Sequence, residues 1–292
     1  MVIESIPKTV GMGYAIVALI MLVLLFLRGK FNRRIGYLFL VVSTVFGFLV
    51  FAPMLPNQLQ ALLLGTTKQI GGPIPLAIAM LVLFIVVAFV FGRIFCGYVC
   101  PIGTLQELVY LLPGKKFKVT NKVIPIAFRL IFSLAFVILA AGFSIGLLKY
   151  LGVKDFFYLN TGAVFFWVFL AIVLISALVY RPFCRLACPY GALLSLAVIK
   201  GRFKLRRNEN CINCKKCREA CPTNEVGWTD LKQECYMCNR CKEACPVNGM
   251  GYTIKQIREE ERKKALGKAA KPATPGAERV GGPVVNLSDT SH

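Results

Sequence analysis

Residues 74–101 read IPLAIAMLVLFIVVAFVFGRIFCGYVCP: an apolar run of spanning length that ends in Arg-x-Phe-Cys-x3-Cys-Pro. Residues 181–196, RPFCRLACPYGALLSL, repeat the pattern of residues 93–108, RIFCGYVCPIGTLQEL. The copies start 88 residues apart, and each closes an apolar run. Both fit Arg-x-Phe-Cys-x3-Cys-Pro-x-Gly-x-Leu-x2-Leu. Five apolar runs stand out, at about 10–27, 35–53, 74–92, 124–147 and 162–180. Each is close to the 20 or so residues a spanning helix needs. The chain has 292 residues and is 57% hydrophobic, too apolar for an ordinary soluble domain. The expected fold is an all-α, multi-spanning membrane domain of about five transmembrane helices over 1–200. A small α+β ferredoxin domain of the bacterial type follows over 201–252, then a charged helix and disordered tail over 253–292.

Charge sets the expected orientation. The net charge is +21, and Lys and Arg accumulate on the cytoplasmic side of membrane proteins. The connections RGKFNRR (28–34) and GKKFKVTNK (114–122) are basic. By contrast 54–73 holds only Lys68, and 148–161 holds Lys149 and Lys154 against Asp155. This predicts an inner-membrane protein with its N-terminus outside and its C-terminus in the cytoplasm. The first span is not read as a cleavable signal, because its basic residues follow the apolar run. A nucleic-acid partner is not expected, since no binding motif accompanies the charge. The single histidine is His292. Neither intramembrane His ligands nor Cys-x2-Cys-His is present, so no haem is expected in this chain.

Of twelve cysteines, eight fall between 211 and 245, in CINCKKCREACP and CYMCNRCKEACP. Each is Cys-x2-Cys-x2-Cys-x3-Cys-Pro, the bacterial run for [4Fe–4S] clusters, in which the fourth cysteine ligates the other cluster. One cluster is therefore expected on Cys211, Cys214, Cys217 and Cys245. The other is expected on Cys235, Cys238, Cys241 and Cys221. Zinc sites would more often show two separated Cys-x2-Cys pairs. Such thiolates imply a reducing compartment.

The other four cysteines, Cys96, Cys100, Cys184 and Cys188, belong to the repeated motif. The x3 spacing sets both thiols of a pair on one helical face, at the cytoplasmic boundary. Three readings stand: a further cluster or other metal site on four thiolates, a thiol–disulfide relay, or buried thiols that pack. Arg93 and Arg181 precede the pairs. They either snorkel to the interface or compensate the charge of thiolates or a cluster. Pro101 and Pro189 suit the first turn of a short helix after each pair. Trp167 and Trp228 read as packing residues.

Together, the doubled Cys-x3-Cys-Pro motif, the spans and the two-cluster run resemble the polyferredoxin membrane proteins of the NapH type, over about residues 30–250. The resemblance implies electron exchange between quinol and other redox proteins. It also implies a place as the electron-transfer subunit of a quinol dehydrogenase or other quinone-linked complex. Its relatives include a nitrous-oxide reductase regulator and a copper-reducing assembly factor. Short outer loops argue against the regulator type, which carries a large extracytoplasmic flavin domain. The expected partners are membrane lipid, quinone and other redox subunits, iron–sulfur protein or cytochrome. Two other functions stand beside it: a thiol or iron–sulfur reductase of copper in metalloenzyme assembly, and a membrane anchor for a soluble dehydrogenase. Soft thiolates suit Cu(I), but the chain lacks a Met-rich or His-rich copper tract.

Overall fold

A computed structural model describes residues 8–51, 54–65, 74–119, 121–201, 203–208 and 210–253. The described residues form one compact unit. The expected charged helix at 254–268 and the tail beyond it lie outside the described residues.

The long apolar helices are α1 (Lys8–Leu27), α2 (Arg33–Val50), α4 (Ile74–Phe91) and α7 (Val123–Phe143). Among the described residues, four stretches are long and apolar enough to cross a membrane; the one that begins with α2 also takes in α3 (Leu55–Leu63). Their outward positions stay apolar, as at Val17, Val82, Ile131 and Leu134, each exposed.

The fifth apolar run departs from expectation. It is helical only as α10 (Val164–Ile175), about 18 Å of rise against the roughly 30 Å of a bilayer core. Residues 176–180 leave the helix to hold the 115–118 segment. The Lys116 ammonium donates to the Ala177 carbonyl at 2.9 Å, and the Phe117 N–H to that of Leu178 at 2.9 Å. Short helices α8 (Leu147–Tyr150) and α9 (Val153–Phe157) fill the missing length from the other side. Phe157 on α9 is fully buried between Phe48, Phe51 and Phe169.

The two Cys-Pro motifs pack against the long helices. Gly92, with φ +76°, turns the chain back after α4. Next come α5 (Ile94–Tyr98) and α6 (Pro101–Tyr110). The second copy forms a π-turn (Phe183–Ala187), then α11 (Pro189–Ile199). Both copies fold back against the long helices. The Tyr190 hydroxyl donates to the Leu81 carbonyl at 2.7 Å, ten residues and about 15 Å back along α4 from its end. Phe95 packs on Phe84 with ring centres 4.3 Å apart. Pro101 meets Gly47 of α2, where a Cβ would stand 2.4 Å from the proline Cβ.

After α11 the chain enters β1 (Lys204–Arg207), paired antiparallel with β2 (Met250–Thr253), Lys204 opposite Thr253. Strand β1 belongs to the cysteine-rich region, with Lys204 and Arg206 buried. The Lys204 ammonium donates to the carbonyls of Ile199 and Leu231, tying α11 to that region. Short helices α12 (Lys216–Ala220) and α13 (Arg240–Glu243) complete the ferredoxin-like part. Trp167 and Trp228 are both exposed, so neither is a core residue.

Candidate iron–sulfur centres

Each cysteine pair is positioned by the start of a helix. Cys100 and Cys188 have extended backbones and are the N-cap residues of α6 and α11; the prolines occupy the first helical turn. Pro costs nothing there, because that N–H has no partner inside the helix. So the second thiol of each pair leaves the helical face predicted for it. Only Cys96 lies in an α-helix and Cys184 in the π-turn. The glycine two residues after each proline permits a close return. A Cβ on Gly103 would meet the Cys96 carbonyl at 2.4 Å, and one on Gly191 the Cys184 carbonyl at 3.2 Å.

The two copies then cross. The Arg181 guanidinium donates to the carbonyls of Cys96 at 2.5 Å and Gly97 at 2.9 Å in the first copy. Arg93 donates to the Gly191 carbonyl of the second. Both arginines are 1% exposed. They do not snorkel; they lock one copy on the other.

Twelve cysteines gather as three sets of four. Cys211, Cys214, Cys217 and Cys245 line one cavity. Cys221, Cys235, Cys238 and Cys241 line a second. Cys96, Cys100, Cys184 and Cys188 line a third. Among the described residues no three Cys, His, Asp or Glu side chains converge tightly enough for one metal ion. Four thiols around one cavity are a donor set for a metal centre. Burial pushes the Cys235 thiol up to about 12 and the Cys238 thiol up to about 11. Thiols with such pKa values hold their protons at neutral pH, so metal loading there must expel them.

Charged side chains join the second cavity to the membrane helices. Glu234, next to Cys235, pairs with Arg129 of α7 at 3.3 Å and with Arg185 at 2.8 Å. Glu107 of α6 pairs with Arg181 at 2.8 Å and with Arg240 at 2.5 Å. Burial alone would raise the Glu107 pKa, but the two guanidiniums outweigh it and hold the carboxyl below its usual range. Tyr236 lies between the copies and the ferredoxin part. Arg181 stands 4.6 Å and Arg93 5.4 Å from its ring centre, and its hydroxyl accepts from Arg93 at 3.1 Å. Motif reading missed Glu107, Glu234, Arg129, Arg185, Arg240 and Tyr236. The one available signal was a charge inside an apolar segment: Arg129 interrupts the run at 124–147, and such residues face partners, not lipid.

Comparison with known proteins adds identity to this geometry. The model of a 4Fe-4S binding domain matches twice, at residues 73–120 and 161–208. Those segments contain the two Cys-Pro motifs and stop before Cys211. Protein MJ0750 of Methanocaldococcus jannaschii is 36% identical over 52% of this chain and 67% of its own length. YccM of Escherichia coli, provisionally named an electron transport protein, is 33% identical over 54% of this chain and 49% of its own. The methylamine utilization ferredoxin-type protein MauN of Methylorubrum extorquens is 30% identical over 60% of this chain and 61% of its own. The chain thus spans about half to two thirds of these relatives. No solved structure matches it. The match to MJ0750 covers two thirds of that protein; the chain belongs to one family with it, and carries the 4Fe-4S binding domain in two copies built around its Cys-Pro motifs.

Proposed function

We propose that the protein is a membrane-bound iron–sulfur electron carrier that exchanges electrons between the quinone pool and redox partner proteins, in the manner of the NapH-type polyferredoxins. The observation that carries this reading is the sorting of the eight ferredoxin-run cysteines into two cavities of four, one anchored to the membrane helices and one facing solvent. Cys221, Cys235, Cys238 and Cys241 would hold the inner cluster; Cys211, Cys214, Cys217 and Cys245 the outer. A [4Fe–4S] cluster supplies single-electron transfer over a wide range of potentials. Glu234 and Glu107, each held by two arginines, fix the inner set against the bundle and exclude water from it. Cys214 is exposed, so the outer set is the one a soluble redox partner reaches.

A cleft lined by Arg33, Tyr37, Leu40, Glu107 and Cys238 supports the quinone reading. It sets an apolar wall and hydrogen-bonding groups beside a cysteine of the inner set. Tyr37 and Arg33 open that set toward the start of α2, where a lipid-dissolved headgroup arrives. Anaerobic mixing of the chain, in lipid discs, with a short-chain quinol or, after reduction, with the quinone tests this. The visible absorbance of the clusters should bleach or recover within a single turnover in one direction. No exchange in either direction would sink the quinone reading.

The orientation proposed is N-terminus outside and ferredoxin part in the cytoplasm. Reporter fusions at residue 65 and after residue 253 should report outside and inside respectively. An external ferredoxin part would overturn it.

A further inference from the structure

We propose that the face around the outer cysteine set, Cys211, Cys214, Cys217 and Cys245, docks a small acidic protein that carries one electron. The inference rests on the iron–sulfur reading above and names the chemistry of the partner that meets the outer set.

The two ferredoxin cavities differ in charge. The inner one is lined by Glu225 and by no Lys or Arg. The outer one is lined by Arg207 and Lys215 and by no carboxylate. Lys216 and Arg218 of α12 and Lys118 stand beside it, all exposed. The Lys118 ammonium reaches the Glu219 carbonyl, which brings a cation of the 115–118 segment to the same helix. Arg207 and Arg218 bond to neutral amides, those of Asn213 at 3.2 Å and Asn224 at 3.0 Å. Among the described residues none of these five cations forms an ion pair, and Glu219 is the one described carboxylate between 203 and 221.

Like charges gathered on one face repel. A partner of opposite sign relieves that repulsion and is steered in by it. The collar also has an apolar centre. Ile212, between two of the cysteines, is 63% exposed, and Cys214 is exposed with it. Protein interfaces are built this way, with an apolar centre in a polar rim. Electron-transfer encounters are small, and charge on the rim sets their rate and salt dependence. The cations collect the carrier, and Ile212 and Cys214 receive it. One electron then passes between cluster and carrier, one losing what the other gains, and no bond is made or broken.

Two acceptors of opposite charge test this. The chain, in discs of neutral lipid, is reduced with dithionite, freed of excess reductant without air and mixed with either acceptor. One is an acidic blue-copper protein, whose Cu(II) takes one electron and loses its colour. The other is a basic c-type cytochrome, whose haem iron takes one electron. At low salt the acidic acceptor should be reduced about tenfold or more faster, the low end of electrostatic steering. At about 1 M salt, where the screening length is about 3 Å, the two rates should converge. Lys215→Glu with Lys216→Glu should remove most of the low-salt advantage. Lys149→Glu with Lys154→Glu makes the same change of charge at the other end of α2 and should not. Arg33 at the start of α2 pairs with Glu243 of the ferredoxin part, whereas Phe51 after its end packs on Phe157 of α9, about 27 Å along the helix. Iron content and the paramagnetic resonance of both clusters show that each variant is loaded, and the comparison of acceptors in the wild type needs no variant. Equal rates for the two acceptors, or an advantage that both double variants keep or lose alike, overturns the proposal and leaves the outer set as the exit. Reduction of neither acceptor overturns that exit as well, as it would if this face lay on lipid.

Discussion

Cys221→Ser is expected to abolish the cluster of Cys235, Cys238 and Cys241 and to spare the one nearer in sequence. The reason is the crossed pattern. Cys221 closes the first cysteine run at 211–221, yet it lines a cavity with Cys235, Cys238 and Cys241. Three of those are buried or half-buried next to Tyr236 and Glu234, so serine would leave a weaker ligand in a dry site. About four irons per chain should disappear. The surviving cluster should keep its spectrum, because Cys211, Cys214, Cys217 and Cys245 line a separate cavity. Since the lost cluster is the inner one, electrons from the membrane side should no longer reach the exposed Cys214 set. Resolved spectra of the two clusters in the variant decide the matter. Loss confined to the Cys211 set would overturn the crossed assignment.

What could be read from sequence depended on whether the chemistry was local. The two Cys-x2-Cys-x2-Cys-x3-Cys-Pro runs state their spacing in twelve residues each, and each of two cavities is lined by four of these cysteines. The doubled Cys-Pro motif was visible for the same reason, including its Pro–Gly helix start. Its packing on the long helices was not visible. That is set by the left-handed turn at Gly92 and by the close fit of Pro101 against Gly47, contacts between residues far apart in sequence. Apolar length also misled at 162–180. Composition measures how greasy a segment is, but the helix stops at Ile175 because the next residues must hold the 115–118 segment. Arg93 and Arg181 look alike as letters at helix ends. Only the fold shows that one is answered by a carboxylate and the other faces a ring of thiols. Glu107 and Glu234 gave no signal in one sequence, because an acid's partner is decided by the tertiary fold.

Glu107→Gln is the second variant with a large expected effect. The Glu107 carboxylate answers two guanidiniums, Arg181 from the second repeat and Arg240 from the ferredoxin part. Side-chain exposures are 6% for Glu107, 1% for Arg181 and 13% for Arg240. A neutral amide would leave two cations facing one another with little water to screen them. Removing one partner of a buried pair costs about 3–5 kcal/mol. At about 1.4 kcal/mol per tenfold, detachment of the ferredoxin part from the bundle should rise by roughly two to three and a half powers of ten. Protease cleavage within 201–253 of the cluster-loaded chain in lipid reports that opening. Arg240→Gln should cost less, since it leaves Arg181 and Glu107 still paired. The pH dependence has a definite sign. The Glu107 pKa lies below its unfolded value, so its contribution is full above the ordinary carboxylate pKa, about 4.3. It fades as the pH falls through the lowered value. The glutamine variant should therefore lose its disadvantage in strong acid and show it fully at neutral pH. A variant as protease-resistant as the wild type at pH 7 would mean that the two arginines are satisfied without Glu107, and the clamp between repeat and ferredoxin part would have to be sought at Glu234 alone.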